Sequence, residues 1–557
     1  MKTLSRFLIP VGALLLCMSF IAVYSFLPAT VPAKYSSPDE ASNFFFSKLY
    51  ADSSRLWAFD DMSIPTGGLL HPRSVRVVDA FLVPGGFLGL PVFFGGIGQV
   101  IGTAAIPFLT PIFGVLAALA WGALMTVKFG RRMGLVAGAL LLVQPAWWYE
   151  ASRTMQPNVL FCSLVIFSAY FFFAAPFKAM VEKSGSEGHR ILRAADAAIA
   201  GILMAMALAT RTSEAYWLII GIAVAALAFP RRTPWGRLIV FASIALVGFA
   251  PFLALNSSVY GSPLATGYGA GVSVISAGTA THGQGNALLG PLRPYLFPLG
   301  FAPRVALGNA WTYGIAFFWW WSLLAVGGIA AYVIARKKRS ETDRADVKTF
   351  ALATAAVTVW LLFFYGSYVV QDNPDPNAVT IGSSYLRYWL PVAVFSTVPV
   401  AWLLVTFGGR LAEKWRNAAM AAAVVLIGTA SGYMVFFSHG EGLLSVRDSI
   451  KTNVNIAEDV ISITPQKAII VTDFDDKYLF PERHVIVPLR SEVTYGSLHR
   501  LALHADGLFY LGLTLPDKDF AYLRDVKLAP QMLVPVAVKA YGEQTLYEFR
   551  RTDLTPK

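Results

Sequence analysis

Two acidic residues near the N-terminus are the first candidates for chemistry. Asp39 and Glu40 follow Ser37 and Pro38, and apolar residues then recur at helical spacing. A carboxylate at a helix start is kept ionised by the positive end of the helix dipole, so it can act as a general base. The pattern also has a structural interpretation, because Ser37 and Glu40 have capping-box spacing and proline is favoured at the first helical position.

Further polar residues lie between apolar segments. Glu150, Arg153 and Asn158 share one short stretch, and Arg211 and Glu214 share another. Guanidinium groups bind phosphate through paired donors, so these stretches could bind an anionic substrate. The alternative is that each charged residue is an anchor whose end reaches water at the membrane surface. Other candidates are His71 and Arg73 in the first long polar loop, Tyr268 in a loop rich in Gly and Ser, and Arg387 at a late apolar segment.

The elements that must position these residues are membrane spans. The 557-residue chain is 56% hydrophobic and 14% charged, whereas soluble domains are roughly a quarter charged. Apolar runs long enough to cross a bilayer predict a polytopic α-helical membrane protein with about eleven spans. The predicted spans lie near 7–27, 106–127, 133–149, 158–175, 194–210, 215–229, 237–255, 311–335, 349–366, 386–406 and 418–436. The first is interpreted as an uncleaved helix and not as a signal peptide.

Basic clusters predict the orientation. They occur at the N-terminus and near 128–132, 178–193, 231–237, 336–348 and 410–416. By the positive-inside rule these segments are cytoplasmic, so the N-terminus lies inside and, after an odd number of spans, the C-terminus lies outside. The candidate residues then share the outer side. Topology and anionic lipid explain the net charge of +12, and no nucleic-acid partner is expected.

The protein divides into two predicted domains. Residues 1–437 form the membrane domain, with outer loops at 28–86, 256–310 and 366–385. Residues 438–557 have soluble composition and predict a small extracytoplasmic α/β domain. Its strand-like runs lie at 468–472, 484–488, 507–513 and 532–539, and its helix-like runs lie at 456–463 and 517–524. Its first strand is not followed by a glycine-rich phosphate loop. Three aspartates do follow that strand, and they are interpreted as a polar turn and not as a metal site.

Residues 87–102 do not fit the span pattern. Five of these sixteen residues are glycine, and a crossing here would break the alternation of inside and outside loops. We therefore expect an interfacial or re-entrant segment, covered by protein or lining a cavity. The alternative is a pair of short glycine-rich helices that cross the membrane.

The order of these motifs on this topology resembles a known group of enzymes. Residues 1–440 are similar to GT-C glycosyltransferases of the protein O-mannosyltransferase and aminoarabinose transferase type. The likeness rests on Pro38-Asp39-Glu40, His71-Pro72-Arg73, Ser152-Arg153 with Asn158, Gly261-Ser262-Pro263 with Thr266-Gly267-Tyr268, and Arg387-Tyr388.

The resemblance implies a role for each candidate residue. Asp39 would be the general base for the acceptor, with Glu40 as a supporting acid, and Arg153 would face the donor phosphate. His71, Arg73, Arg211 and Arg387 join Arg153 as donor-phosphate candidates, and Glu150, Asn158, Glu214 and Tyr268 are further site candidates. Many members carry an acidic residue where this chain has Asn158, whose neutral amide is a poorer ligand for a divalent cation. Metal dependence is therefore in doubt, and no cofactor is expected to be required.

The implied activity is inverting transfer of a sugar from a polyprenyl-phosphate donor to an acceptor hydroxyl. The acceptor could be a lipid, a glycan or a protein, on the outer face of a prokaryotic plasma membrane. The alternative is a transporter or flippase of lipid-linked sugars. Transporters tend to show inverted repeats and ionisable residues at the bilayer midplane, whereas this sequence shows no internal repeat and its polar candidates gather at loop ends.

Overall fold

The protein consists of two compact units. A computed structural model describes residues 2–174, 186–268, 300–335, 341–370, 375 and 378–553. The helical unit comprises Met1–Leu27, Phe108–Pro251 and Ala280–Ser445. The α/β unit comprises Pro28–Pro107, Phe252–Thr279 and Val446–Lys557, so it joins the first predicted loop to the C-terminal region. Much of the predicted loop 256–310, and parts of the basic loops near 178–193 and 336–348, lie outside the described residues.

Long apolar helices dominate the helical unit. Six described helices are long and apolar enough to span a membrane, or eight spans result if each of two bent helix pairs is counted as one. The predicted class, a polytopic helical membrane protein with a C-terminal α/β region, is confirmed. The helices are Lys2–Tyr24, Phe26–Thr30, Ile106–Phe129, Arg131–Leu142, Pro145–Arg153, Pro157–Ala174, Ser186–Thr210, Ala215–Ala228, Trp235–Tyr260, Pro303–Asn309, Trp319–Ala335, Glu341–Gly366, Ser384–Tyr388, Leu390–Gly408 and Glu413–Phe437, with a 3-10 turn at Thr212–Glu214 and a π-helical turn at Ala310–Ala316.

The span predicted at 133–149 is broken. The chain forms Arg131–Leu142 and then a separate helix, Pro145–Arg153. Pro145 lacks the N–H that would continue the first helix, and the Gln144 side chain caps the second by accepting a hydrogen bond from the backbone N–H of Trp147 (2.7 Å). The polar stretch predicted as a loop after residue 149 is therefore helical up to Arg153.

Two sheets organise the α/β unit. Strands β1 (Ala58–Phe59), β2 (Val75–Val78) and β3 (Phe81–Pro84) form an antiparallel sheet in the order β1-β3-β2. Strands β4 (Ile469–Thr472), β5 (His484–Ile486), β6 (Leu508–Leu513), β7 (Leu533–Tyr541) and β8 (Gln544–Arg551) form the second, in the order β5-β4-β6-β8-β7. Strand β4 is parallel to both β5 and β6, while β8 is antiparallel to β6 and β7.

Helices accompany these sheets in the α/β unit. They are Pro38–Ser53, Ser63–Thr66, Gly89–Ile101, Leu443–Ile463, Asp476–Leu479, Glu492–His504 and Asp517–Tyr522, with a π-helical segment at Leu523–Leu528 and 3-10 turns at Thr103–Ala105 and Ala529–Gln531. The core of the second sheet also contains Met62 and Leu70, which are 6% and 2% exposed. The first loop thus supplies part of a core that otherwise comes from the C-terminal region.

The glycine-rich segment forms a single helix, Gly89–Ile101, and not the two short helices of the alternative interpretation. It packs against helix Pro38–Ser53. A Cβ atom at Gly95 would lie 2.6 Å from the carbonyl oxygen of Ser47 and 2.9 Å from Cβ of Tyr50. Glycine is therefore required for close approach of the two helices. Its predicted interfacial position stays a prediction.

A matched pair of glycine substitutions tests this helix contact. Gly95→Ala is expected to destabilise the protein by about 1–3 kcal/mol, because the new Cβ meets backbone that cannot move easily. Gly96→Ala is the control, since a Cβ there meets nothing within 4 Å, and alanine should stabilise the helix by up to about 1 kcal/mol. Thermal unfolding of the purified variants in detergent measures both changes. Equal unfolding midpoints for the two variants would contradict the close contact.

Candidate active site

The capping box at the start of helix Pro38–Ser53 is present. Glu40 is 1% exposed, and its Oε2 accepts a hydrogen bond from the backbone N–H of Ser37 (3.2 Å). The structural interpretation of Ser37 and Glu40 is therefore confirmed. Asp39 takes no part in this box.

Asp39 is bound instead by a serine from the same loop. Ser74 donates its hydroxyl to Oδ1 of Asp39, with 2.5 Å between the oxygens. Ser74 adopts a left-handed backbone conformation with φ 61°, and its carbonyl accepts hydrogen bonds from Ser42 Oγ (2.6 Å) and Gly85 N (2.9 Å). Sequence reasoning missed Ser74, because it lies 35 positions from Asp39 and no motif sets it apart from other serines.

The turn before helix Gly89–Ile101 contacts the second outer loop near Ser74. Gly267 donates its backbone N–H to the carbonyl of Gly86 (3.2 Å), and a Cβ at Gly267 would lie 2.3 Å from the carbonyl carbon of Gly85. The exposed ring of Tyr268 lies against Phe87, with 5.2 Å between ring centroids. The structure therefore places Tyr268 close to Gly85, whose backbone N–H binds the carbonyl of Ser74.

Arg73 forms an ion pair with the turn after β4. Its Nη2 lies 2.6 Å from Oδ1 of Asp476, and its backbone N–H donates to Oδ2 of the same carboxylate (2.8 Å). Asp476 is fully buried, whereas the Arg73 side chain is 35% exposed. A donor phosphate would have to compete with this carboxylate for the guanidinium, so the phosphate role predicted for Arg73 has no support from its contacts.

His71 has the properties of a neutral imidazole. Its Nδ1 lies 3.0 Å from the carbonyl oxygen of Pro72, and since a carbonyl only accepts, Nδ1 carries the hydrogen. Burial lowers the pKa of His71, and the charge of Arg76 acts in the same direction, against the opposing effects of the Pro72 carbonyl and Asp476. A neutral ring in this tautomer offers a phosphate no positive charge.

The aspartates after β4 have structural partners. Asp473 Oδ2 accepts the hydroxyl of Tyr510 (3.0 Å), and Asp475 Oδ2 accepts the side-chain amide of Gln544 (3.1 Å). Burial raises the pKa of Asp475, which weakens it as a cation ligand at moderately acidic pH. These contacts support the interpretation of a polar turn.

A set of possible metal ligands lies elsewhere in the α/β unit. Single ligand atoms of Asp60, Asp61 and His484 lie within 4.8 Å of one another. Asp60 already accepts hydrogen bonds from His484 Nε2 (3.0 Å) and Ser63 Oγ (2.8 Å). Burial would raise the pKa of Asp60, but these hydrogen bonds outweigh burial and lower it. These contacts explain why the three side chains lie together: they connect the first loop to β5. Sequence spacing could not predict this pairing.

The helical unit contains a buried ion pair. Arg211 and Glu214 are 6% and 3% exposed, and Nε of Arg211 donates to Oε1 of Glu214 (2.8 Å). Tyr365 and Trp217 each donate a hydrogen bond to the same carboxylate at 2.5 Å. These residues are not anchors that reach water, so that alternative is wrong for them.

Asn158 connects this pair to Arg387. Its Oδ1 accepts a hydrogen bond from Nη1 of Arg211 (3.2 Å), and its Nδ2 donates to the backbone carbonyl of Arg387 (2.9 Å). An aspartate could accept the first bond but would repel the carbonyl at the second. The guanidinium carbons of Arg211 and Arg387 lie 5.3 and 5.2 Å from the ring centroid of Tyr388. The structure thus groups four of the predicted residues, namely Asn158, Arg211, Glu214 and Arg387.

Arg153 ends the short helix that also carries Glu150. Its Nη1 donates to the hydroxyl of Tyr149 (3.0 Å), and its guanidinium carbon lies 5.8 Å from that ring centroid. Arg153 is half-buried and Glu150 is 3% exposed. Thr154 and Met155 follow with positive φ angles of 60° and 50°, so the chain reverses here into helix Pro157–Ala174.

Comparison with solved structures finds this fold along nearly the whole chain. ArnT from Cupriavidus metallidurans in the apo state matches with a TM-score of 0.55 and 12% sequence identity, over 98% of this chain and 100% of that chain. The same protein bound to undecaprenyl phosphate matches with a TM-score of 0.52 and 13% identity, over 98% and 99%. The archaeal oligosaccharyltransferase AglB from Archaeoglobus fulgidus, in complex with an inhibitory peptide and a dolichol-phosphate, has a TM-score of 0.52 and 13% identity, over 97% and 75%.

These neighbours define the class of fold. ArnT, an aminoarabinose transferase, and AglB are GT-C glycosyltransferases, so this chain has the GT-C fold that the sequence resemblance predicted. No family model and no curated protein matches the sequence. At such identities the likeness shows the fold alone.

The Arg73–Asp476 pair can be tested by a double-mutant cycle. Arg73→Gln and Asp476→Asn are each expected to destabilise the protein by about 2 kcal/mol, since each leaves a charged partner unpaired. The double variant should lose less than the sum of the two. Asp475→Asn is the control, because it keeps the Gln544 contact. Thermal unfolding in detergent is the measurement, and strictly additive losses would contradict the pairing.

Proposed function

We propose that this protein transfers a sugar from a polyprenyl-phosphate donor to an acceptor hydroxyl on the extracytoplasmic face of a membrane. The observation that carries the proposal is the likeness of almost the entire chain to ArnT bound to undecaprenyl phosphate. AglB in complex with a dolichol-phosphate supports the same class of donor. No observation on the described residues favours the transporter alternative.

In the proposed mechanism Asp39 is the base. It accepts the proton of the acceptor hydroxyl while that oxygen attacks the anomeric carbon of the sugar. The bond to the phosphate oxygen breaks on the opposite face, so the anomeric configuration inverts. Asp39 suits this role because its half-buried carboxylate begins a helix without serving the capping box.

The leaving polyprenyl phosphate needs positive charge in the transition state. We assign this role to Arg153 and Arg387. The charge of Arg211 is matched by Glu214 at 2.8 Å, so Arg211 contributes less net charge. Asn158 is occupied by Arg211 and by the backbone of Arg387, which supports neutralisation by arginine without a divalent cation bound at this residue.

Two substitutions separate a base from a helix cap. Asp39→Asn removes basicity with little change in size, and it should lower the transfer rate by roughly two to four orders of magnitude with little effect on stability. Ser37→Ala should destabilise the protein by about 1 kcal/mol and keep most of the activity. The assay is transfer from polyprenyl-phosphate sugars in nanodiscs, with unfolding measured on the same samples. Near-normal turnover of Asp39→Asn would move the search for the base to Glu40 or Glu150.

We further propose that the N-terminus is cytoplasmic and the α/β region extracytoplasmic, from the basic clusters near 128–132 and 231–237. Single cysteines at two exposed positions, Arg131→Cys and Lys518→Cys, test this in a chain with Cys17 and Cys162 replaced by alanine. A membrane-impermeant maleimide should label 518 in intact cells and 131 only after permeabilisation. The reverse pattern would invert the topology and exclude an outward active site.

A further inference from the structure

The carboxylate of Asp39 and the hydroxyl of Ser74 form a contact that no motif predicted. The two oxygens lie 2.5 Å apart, and both side chains are half-buried. A hydroxyl that donates to a carboxylate restricts its rotation. A fixed orientation assists a general base.

The surrounding backbone holds Ser74 in place. Its φ of 61° lies in the left-handed region, which a serine adopts only when its surroundings enforce it. The carbonyl of Ser74 accepts two hydrogen bonds, one from Ser42 on the helix of Asp39 and one from Gly85. A Cβ at Gly85 would lie 2.6 Å from that carbonyl oxygen, so only glycine allows this approach. The hydroxyl is thus fixed relative to the helix that carries Asp39.

We propose that Ser74 is the positioning residue of the base, orienting the Asp39 carboxylate through its hydroxyl. The inference deepens the proposed function and rests on it. A structural role alone, in which Ser74 only completes a turn, would need the backbone conformation but not the hydroxyl.

The ionisable groups around Asp39 come from few elements. The neighbouring elements β3, Gly89–Ile101 and Thr103–Ala105, which pack against its helix, contain no ionisable side chain. On its own helix the adjacent Glu40 is held in the capping box.

Helix Asp476–Leu479 also packs against the helix of Asp39. It carries Asp476, which is paired with Arg73, and also Lys477 and Tyr478. Burial, together with the charge of Arg73, lowers the pKa of Lys477 to about 8. The Ser74 hydroxyl donates to Oδ1 of Asp39, so its removal should act on Asp39.

Two variants separate the hydroxyl from the backbone. Ser74→Gly removes the hydroxyl and favours a positive φ, whereas Ser74→Ala removes the hydroxyl and keeps the backbone penalty. If the hydroxyl positions the base, both variants should lose about ten-fold in kcat, with KM little changed.

A second measurement repeats both substitutions in the Asp39→Asn background. There they should cause no further loss in kcat, because the carboxylate that the hydroxyl positions is absent. Thermal unfolding confirms that each variant is folded.

The outcomes separate this inference from the proposed function. A further loss of about ten-fold in kcat in the Asp39→Asn background overturns the inference, as does impairment of Ser74→Ala alone, which would indicate a turn role. Normal turnover of the Ser74 variants beside an inactive Asp39→Asn overturns only the inference. Normal turnover of Asp39→Asn overturns the base assignment and the positioning role with it.

Discussion

The ion pair between Arg73 and Asp476 fixes the chain at the residue before Ser74. Asp476 binds both the guanidinium and the backbone N–H of Arg73, and full burial of the carboxylate makes this pairing hard to exchange for water. Ser74 follows directly and meets Asp39. The position of the proposed base is therefore tied, through two consecutive residues, to the turn after the first parallel strand of the C-terminal sheet.

A second contact acts on the same region. Nζ of Lys34, four residues before the helix of Asp39, donates to the carbonyls of Tyr478 (2.9 Å) and Phe480 (2.8 Å). The C-terminal sheet also takes Met62 and Leu70 into its core. The first loop and the C-terminal region thus share both polar and apolar contacts. A loop of this length would otherwise lose much conformational entropy on holding one geometry, and the sheet provides the contacts that offset this loss.

The helical unit contains buried charges that must be neutralised within the protein. A buried arginine or glutamate is costly in isolation, and here Arg211 and Glu214 neutralise each other while Tyr365, Trp217 and Asn158 satisfy their remaining hydrogen-bonding groups. Asn158 accepts one hydrogen bond and donates another. This double role explains why an amide lies at this position, where many members of the family that the sequence resembles carry an acidic residue. Arg387 contacts this network in two ways: its backbone carbonyl accepts a hydrogen bond from Asn158, and its guanidinium group lies over the ring of Tyr388.

The sequence by itself determined the features that depend on local pattern. Apolar run length predicted the helical membrane class, the Ser37-to-Glu40 spacing predicted a helix start, and short strand-like runs predicted strands close to β4, β5, β6 and β7. The sequence did not predict strand β8 or helix Glu492–His504, and it predicted one continuous span where the helix breaks at Pro145. The order of the polar motifs also led to the fold class, because in a membrane protein charged residues between spans are few and their positions are informative.

Only the tertiary structure decided which partner each polar residue has. The pairs Asp39–Ser74, Arg73–Asp476 and Asn158–Arg387 join positions separated by 35, 403 and 229 residues, and no local periodicity encodes such contacts. The same holds for Gly95, because the neighbouring helix leaves no room for a Cβ atom at this position. Side-chain chemistry is written in the sequence, but the neighbour that orients a carboxylate or matches a guanidinium is set by how distant segments pack together.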